Sequence, residues 1–217
     1  EKFQKEKGRK PDLDFQQFLD NQSPTLAFGL GGETTCVQVT LNNNQTLLID
    51  AGSGLRRAGD VLMKGDCAKG NGEVHIYFTH FHWDHLMGLP FFIPIYIPGN
   101  KINFYSVNND LEKTIEMIFT KPYFPVPFKE LAADISFTLL EPRNEAMING
   151  FALTPYKLDH PDPCWGARIV GDEKVYAHCV DNEATRVSRK ELGEDLPLYQ
   201  GVDCMLFDAQ YSFDQHL

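Results

Sequence analysis

Thr79-His80-Phe81-His82-Trp83-Asp84-His85 sets three imidazoles and one carboxylate within six residues, in a chain of 217 residues that holds seven histidines in all. The preceding stretch, Glu73-Val74-His75-Ile76-Tyr77-Phe78-Thr79, is dominated by β-branched and aromatic residues and reads as a buried strand. In an extended backbone, residues two apart face the same side. His80 and His82 can therefore reach one common point, while Phe81 and Trp83 are expected to turn the other way into packing. Where the chain bends into a helix, Asp84 and His85 swing toward a second point, and the amide dipoles of a helix start favour a carboxylate there. Nitrogen and oxygen ligands of this kind suit Zn2+ at about 2.0–2.2 Å, with iron and manganese as competitors. The competing reading, polar loop residues or hydrogen-bonded core histidines, suits a lone histidine better than four candidate ligands in this register.

Such side chains need a scaffold. Strands are expected over 35–41, 46–50, 73–79, 102–107, 135–140, 151–158, 167–170, 174–180 and 202–207, the first two joined by the Asn42-Asn43-Asn44 turn. Helices are expected over 55–64, 110–119 and 181–192, with a short helix or turn over 86–90. Asp110 is placed to cap the second helix, and Pro122 lies past its end. Strands often follow one another directly, so a strict β-α alternation is absent. That pattern suits two sheets packed face to face with helices outside, a layered α/β sandwich. Residues 1–24 differ: five Lys or Arg fall among the first ten, and Pro11 and Pro24 punctuate the stretch. They read as a solvated polar arm or surface excursion, with a turn or two of helix over 12–19, ahead of a domain over 25–217.

Composition sets limits. Hydrophobic residues make up 42% and aromatics 12%, which supplies a core and excludes disorder as the dominant state. No run of about 18 apolar residues exists, so a spanning helix is excluded. A balance of 20 Lys+Arg against 30 Asp+Glu, net charge -10, argues against a broad nucleic-acid or anionic-membrane surface. It leaves room for one phosphate-bearing ligand met by a local cation. Five cysteines, widely spaced and without a Cys-x-x-Cys pair, argue against a disulfide framework and for reduced thiols in the cytoplasm. The chain starts at Glu1 rather than Met, which leaves a removed leader open.

His80-x-His82-x-Asp84-His85 resembles the signature of the metallo-β-lactamase superfamily. Further segments resemble that family in order along the chain, over about residues 30–212. Gly32-Glu33-Thr34-Thr35-Cys36-Val37 and Leu47-Leu48-Ile49-Asp50-Ala51-Gly52-Ser53-Gly54 are similar to its first strands and aspartate-glycine turn. His160-Pro161, followed by Cys164-Trp165-Gly166-Ala167-Arg168-Ile169, resembles the third-histidine segment. Val175-Tyr176-Ala177-His178-Cys179-Val180-Asp181 resembles the strand that ends in a metal-bridging aspartate, and Leu206-Phe207-Asp208-Ala209-Gln210-Tyr211 a late strand and turn. The run from Gly88-Leu89-Pro90-Phe91-Phe92 through Pro98-Gly99-Asn100 is similar to the phosphodiesterase and ribonuclease Z-like branch.

The resemblance implies a four-layer αββα sandwich of two mixed sheets, with two divalent metal ions, Zn2+ first and Mn2+ or Fe2+ as alternatives, between the sheet edges. His80, His82 and His160 would hold the first ion, Asp84 and His85 the second, and Asp181 would bridge. Asp84 and Asp181 are thus the candidate catalytic carboxylates. Asp50 matches an aspartate that supports a ligand from behind, and Asp208 would orient one from further out. The family places one more histidine after the Asp208 segment. Here only His216 follows, which is read as a surface residue, and terminal elements of the fold are expected to be missing. Asn182-Glu183 follow Asp181 where relatives often carry Thr. Two ions about 3.5–4 Å apart would share a hydroxide, with the pKa of bound water lowered from 15.7 to about 7, and clamp a phosphoryl group. The expected substrate is a small diester or cyclic nucleotide, because the net charge disfavours a long polyanion. Other hydrolytic chemistry on thioesters, lactams or lactones is the alternative, as is a non-catalytic sensing domain; a homodimer is left open. Among the remaining residues, His75, His178, Cys164 and Cys179 read as packing or supporting groups. Trp165 and Arg168 are placed beside the cleft, and the proline-rich 121–127 segment as its cap or as a rigid surface loop.

Overall fold

The computed structural model describes residues 32–208 without a break, together with Lys7, Gly8, Lys10, Asp14 and Phe18. The chain divides into two units, Glu1–Thr34 and Thr35–Leu217; the architecture below is that of the second. The polar arm over 1–24, its boundary at 24/25, most of the helical turns over 12–19, and His216 lie outside the described residues.

The first sheet holds β1 (Val37–Thr40), β2 (Thr46–Ile49), β3 (Glu73–Phe78), β4 (Lys101–Ser106) and β5 (Asp134–Leu139), in that spatial order. β1 and β2 form an antiparallel hairpin, and β2 through β5 run parallel. Parallel strands need crossovers, and helices are the usual ones. α1 (Gly54–Leu62) joins β2 to β3, and α2 (Leu111–Ile118) joins β4 to β5. β3 sits in the middle and is buried on both faces after Glu73, which explains its unbroken apolar run. The second sheet is β6 (Ala146–Ile148), β7 (Phe151–Lys157), β8 (Trp165–Gly171) and β9 (Lys174–Cys179) as an antiparallel meander, with β10 (Cys204–Phe207) added parallel to β9.

Side-chain alternation sorts the residues into layers. Ile76 and Phe78 of β3 pack with Leu55, Ile115 and Ile118 of the helices. Tyr77, one residue out of phase, faces the second sheet, with Leu47, Ile49, Phe151, Leu153 and Ile169. On the far side of the second sheet, Tyr156, Ala177 and Cys179 close against Leu198 of a 3-10 segment, Gly193–Tyr199. Each large apolar side chain so buried contributes roughly 1.5–3 kcal/mol. The result is the expected αββα sandwich: helices, sheet, sheet, helical segment.

Two expectations differ. The helix over 181–192 shrinks to α3 (Arg189–Leu192), which starts at Ser188 with a reciprocal Ser188–Glu191 capping box. Asp181 and Ala184 take left-handed backbone angles, φ 60° and 51°, which interrupt any helix there. The stretch between Asp181 and Leu192 also offers only Val187 as a large apolar residue, too little for a buried stripe. β6, with three residues, was too short to show a period of its own.

One close approach fixes the metal-motif loop. Ala51 N–H donates to His85 O at 2.8 Å and Gly88 N–H donates to Ala51 O at 2.9 Å. A Cβ on Gly88 would lie 2.0 Å from the Gly52 carbonyl oxygen. Gly88→Ala is therefore expected to destabilise the fold by about 1–3 kcal/mol. Gly65→Ala, whose Cβ would meet nothing closer than 3.6 Å, serves as the control in denaturant unfolding; equal midpoints for the two variants would refute the close-packing argument.

Candidate metal centre

Four strand ends meet at one rim of the sandwich. β2 ends at Asp50. β3 delivers Thr79, His80 and His82, and a 3-10 turn over Trp83–His85 delivers Asp84 and His85. From the second sheet, β7 leads to His160 and β9 to Asp181. His80, His82, His160 and Asp181 each offer a ligand atom, all within 4.8 Å of one another, and Asp84, His85 and Asp181 do the same. Asp181 belongs to both groups. The six candidates read from the sequence are thus brought together, His80, His82 and His160 on one side of the shared Asp181 carboxylate and Asp84 and His85 on the other. The ring centroids of His80 lie 4.4 Å from His82, 4.1 Å from His85 and 4.8 Å from His160.

The turn also corrects one expectation. Phe81 packs against the helix-side core, but Trp83 does not follow it inward and is 61% exposed. The 3-10 turn begins at Trp83 itself, so the two-residue alternation ends one residue earlier than the sequence pattern suggested.

Asp50 is fully buried and takes φ 61°, which turns its side chain off the end of β2. Its Oδ1 accepts from Thr79 N at 2.9 Å and from the Thr79 hydroxyl at 3.0 Å. Its Oδ2 lies 2.9 Å from His85 Nδ1. Burial alone would raise the Asp50 pKa, but the nearby imidazoles of His178, 3.8 Å away, and His85, within hydrogen-bond distance, hold it below the usual carboxylate range. His85 is gripped from both sides, since its Nε2 lies 2.8 Å from Asp181 Oδ2. Burial works against its charged form, yet the hydrogen bonds to Asp181 and Asp50 push its pKa up to about 10. The two acids thus create a place that favours positive charge.

His80 is the opposite case. Burial and the neighbouring His85 charge push its pKa down to about 3, so it is a neutral imidazole, which is the ligand form. The Thr79 hydroxyl lies 3.1 Å from its Nδ1. Its Nε2 is buried and has no hydrogen-bond partner, an arrangement that costs about 1–3 kcal/mol unless something satisfies it. A neutral imidazole nitrogen aimed into a cluster of imidazoles and carboxylates fits a divalent cation. The donor set, nitrogen with carboxylate oxygen, suits zinc, iron or manganese.

Other residues fall variously. Asp208 Oδ2 accepts from Asn182 N at 2.8 Å, next to Asp181, and is not in either ligand group. His178 is buried, 3.8 Å from Asp50 and 3.0 Å from the Tyr176 hydroxyl, and His75 pairs with the Tyr105 hydroxyl at 3.0 Å. Cys164 is buried with Sγ 3.6 Å from His80 Nδ1. Trp165 N–H donates to Thr79 O at 3.0 Å, under the Arg143 guanidinium. Arg168 does not line the cleft; it donates to the Pro197 and Gln200 carbonyls at 3.1 and 2.7 Å. In the 121–127 segment, Phe124 packs edge-on to Phe91 and Phe119.

Sequence reasoning passed over Thr79, which links Asp50 to His80, and Asp162, whose Oδ2 lies 2.8 Å from His82 Nε2. Both stand within two residues of a candidate ligand, the signal that was there to find. It also passed over Asp195, buried at 3% exposure and bound by Arg143 and Arg186. Burial pushes the Asp195 pKa up, but those guanidinium hydrogen bonds outweigh it and leave it below the ordinary carboxylate value. A depressed native pKa adds stability above the unfolded value of about 3.9, and that stability is lost as pH falls through the native one. Asp195→Asn, measured in chelator, is expected to melt lower than the parent at neutral pH, the gap closing in acid; a gap that stays constant would contradict this account.

Residues 45–217 match the family model described as Beta-lactamase superfamily domain. The chain belongs to that family. Within the superfamily, it is 28% identical over 140 residues to a ribonuclease Z of Staphylococcus carnosus (strain TM300), covering 59% of this chain and 40% of that protein. It is 29% identical over 137 residues to a ribonuclease Z of Ligilactobacillus salivarius (strain UCC118), covering 57% and 38%. The chain thus spans about two-fifths of the length of these relatives. The solved structure of Zn2+-bound PqqB from Methylobacterium extorquens superposes with a TM-score of 0.52 at 13% identity, over 81% of this chain and 60% of that one, and shares the superfamily fold. No helix among the described residues is long and apolar enough to cross a membrane.

Proposed function

We propose that this chain carries the metal centre of a metal-dependent hydrolase that cleaves phosphodiester bonds. The single observation behind the reading is the shared rim position of Asp181, which joins His80, His82 and His160 on one side to Asp84 and His85 on the other. Two divalent ions held by these groups would supply Lewis acidity toward a phosphoryl oxygen and an activated water at neutral pH. The chain's own part is orientation. Asp50, directly and through Thr79, fixes which nitrogens of His85 and His80 face the cluster. Asp162 steadies the exposed edge of His82.

Phosphodiester chemistry is supported by the ribonuclease Z relatives, whose name states a substrate of RNA. Those relatives weigh against the expectation from net charge that extended nucleic acid is disfavoured. The net charge of -10 still favours a small diester or cyclic nucleotide as the substrate of this chain. Five unpaired cysteines, three of them buried, are consistent with a reducing compartment such as the cytoplasm.

The test is metal analysis of the full-length protein followed by hydrolysis assays. Two bound ions per chain and turnover of a bis-aryl phosphate, with none on thioester or lactam substrates, are expected. Less than one ion per chain, and no turnover after addition of Zn2+ or Mn2+, would overturn the reading. Faster cleavage of an RNA oligonucleotide than of any small diester would overturn the small-substrate part alone.

A further inference from the structure

His160 and Asp181 come from separate strands, and neither has a regular element to hold it. Their neighbours are tied to each other instead. Asn182, 5% exposed, accepts through Oδ1 from Asp159 N at 3.1 Å and from Ala184 N at 3.2 Å. Its Nδ2 donates to the Tyr199 hydroxyl at 3.0 Å, and its own N–H donates to Asp208 at 2.8 Å. Every polar atom of the Asn182 side chain is therefore engaged, and one of its bonds crosses from the residue after Asp181 to the residue before His160. A second tie runs parallel. Glu183 N–H donates to Asp159 O at 2.8 Å. Arg186 donates its N–H to Asp159 Oδ2 at 2.8 Å and its Nε to Asp159 Oδ1, and grips Asp195 Oδ2 and the Lys157 carbonyl, each at 2.8 Å.

We propose that Asn182 is a positioning residue that sets the spacing of His160 and Asp181, with Arg186 holding Asp159 from the other side, and so sets the affinity of the three-histidine cation site. The inference rests on the metal-centre reading above. Asn182 touches no ligand atom; it acts through the backbone of Asp159 and through the left-handed turn at Asp181, φ 60°. Outer partners of metal ligands typically govern about 10–100-fold in metal affinity. Asn182 extends that role to the peptide that carries the ligand rather than to the imidazole itself.

The experiment is competition between the full-length protein and a chromophoric chelator for Zn2+, well below the unfolding temperature. Asn182→Ala is expected to weaken Zn2+ binding by about tenfold or more, and Asn182→Asp, which keeps the acceptor facing Asp159 N, to recover most of it. Tyr199→Phe, which alters the same pocket without contacting Asp159, is expected to bind Zn2+ as the parent does. Parent-like affinity in Asn182→Ala, or equal weakening in Asn182→Ala and Tyr199→Phe, would overturn the proposal, the second result marking a merely structural role. If Asn182→Ala does not fold, Arg186→Gln carries the test: it is expected to weaken Zn2+ binding several-fold, and parent affinity there would count against the tie. A parent protein that binds no Zn2+ would overturn the metal-centre reading itself, a result separable from any variant effect.

Discussion

Replacing His82 by alanine is expected to slow phosphodiester hydrolysis by about a thousandfold or more, since metal-ion catalysis supplies several kcal/mol and each ~1.4 kcal/mol is tenfold in rate. The side chain is 39% exposed and belongs to none of the cores. Its contacts are Asp162 at 2.8 Å, His160 at 3.1 Å and the edge of His80. Removing it therefore takes away a candidate nitrogen ligand without opening a cavity. Stability in chelator should stay within about 0.5 kcal/mol of the parent, as for other exposed substitutions. Metal analysis should show the first ion lost. Full activity with a full metal complement would remove His82 from the centre, whatever the fate of the other ligands.

Asp181→Asn is the complementary case. Its carboxylate stands in both ligand groups, 2.8 Å from His85 Nε2 and 3.5 Å from His80 Nε2. Asparagine tolerates the left-handed backbone nearly as well as aspartate, so the φ of 60° at this position is not a reason to misfold. What changes is charge. A neutral amide between two cations stabilises neither, and both sites are expected to weaken together, by at least the ~10–100-fold that loss of a supporting partner causes. Calorimetric titration with Zn2+ or Mn2+ reads this directly. A variant in which one binding step shifts while the other is untouched would show that Asp181 serves a single ion.

The motif loop was legible because its chemistry is dense and follows a strand whose apolar run is unmistakable. Nine strands were readable from β-branched runs bounded by Asn, Gly and Pro, and the core positions of Ile76, Tyr77 and Phe78 follow from simple alternation. What sequence could not show was local geometry set by tertiary bonds. The 181–192 segment has helix-forming residues, yet Asp159 and Asp195 claim Arg186 and leave only Arg189–Leu192 helical. Trp83 escapes the alternation because a turn starts on it. Arg168 stands three residues along its strand from Trp165, an odd spacing that turns it to the outer layer instead. Thr79 and Asn182 bear no charge and match no ligand type, so only their bonds reveal what they do.

The candidate ligands are recruited from both sheets: His80, His82, Asp84 and His85 follow β3 of one, His160 and Asp181 follow β7 and β9 of the other. A cation seated there is a rivet through the sandwich at its open rim. Whatever binds only the assembled arrangement stabilises it by mass action, by about 2.7 kcal/mol at a hundredfold excess over Kd. Zinc should accordingly raise the melting temperature, and a melting temperature indifferent to zinc would mean that the two layers hold together without help from the ion between them.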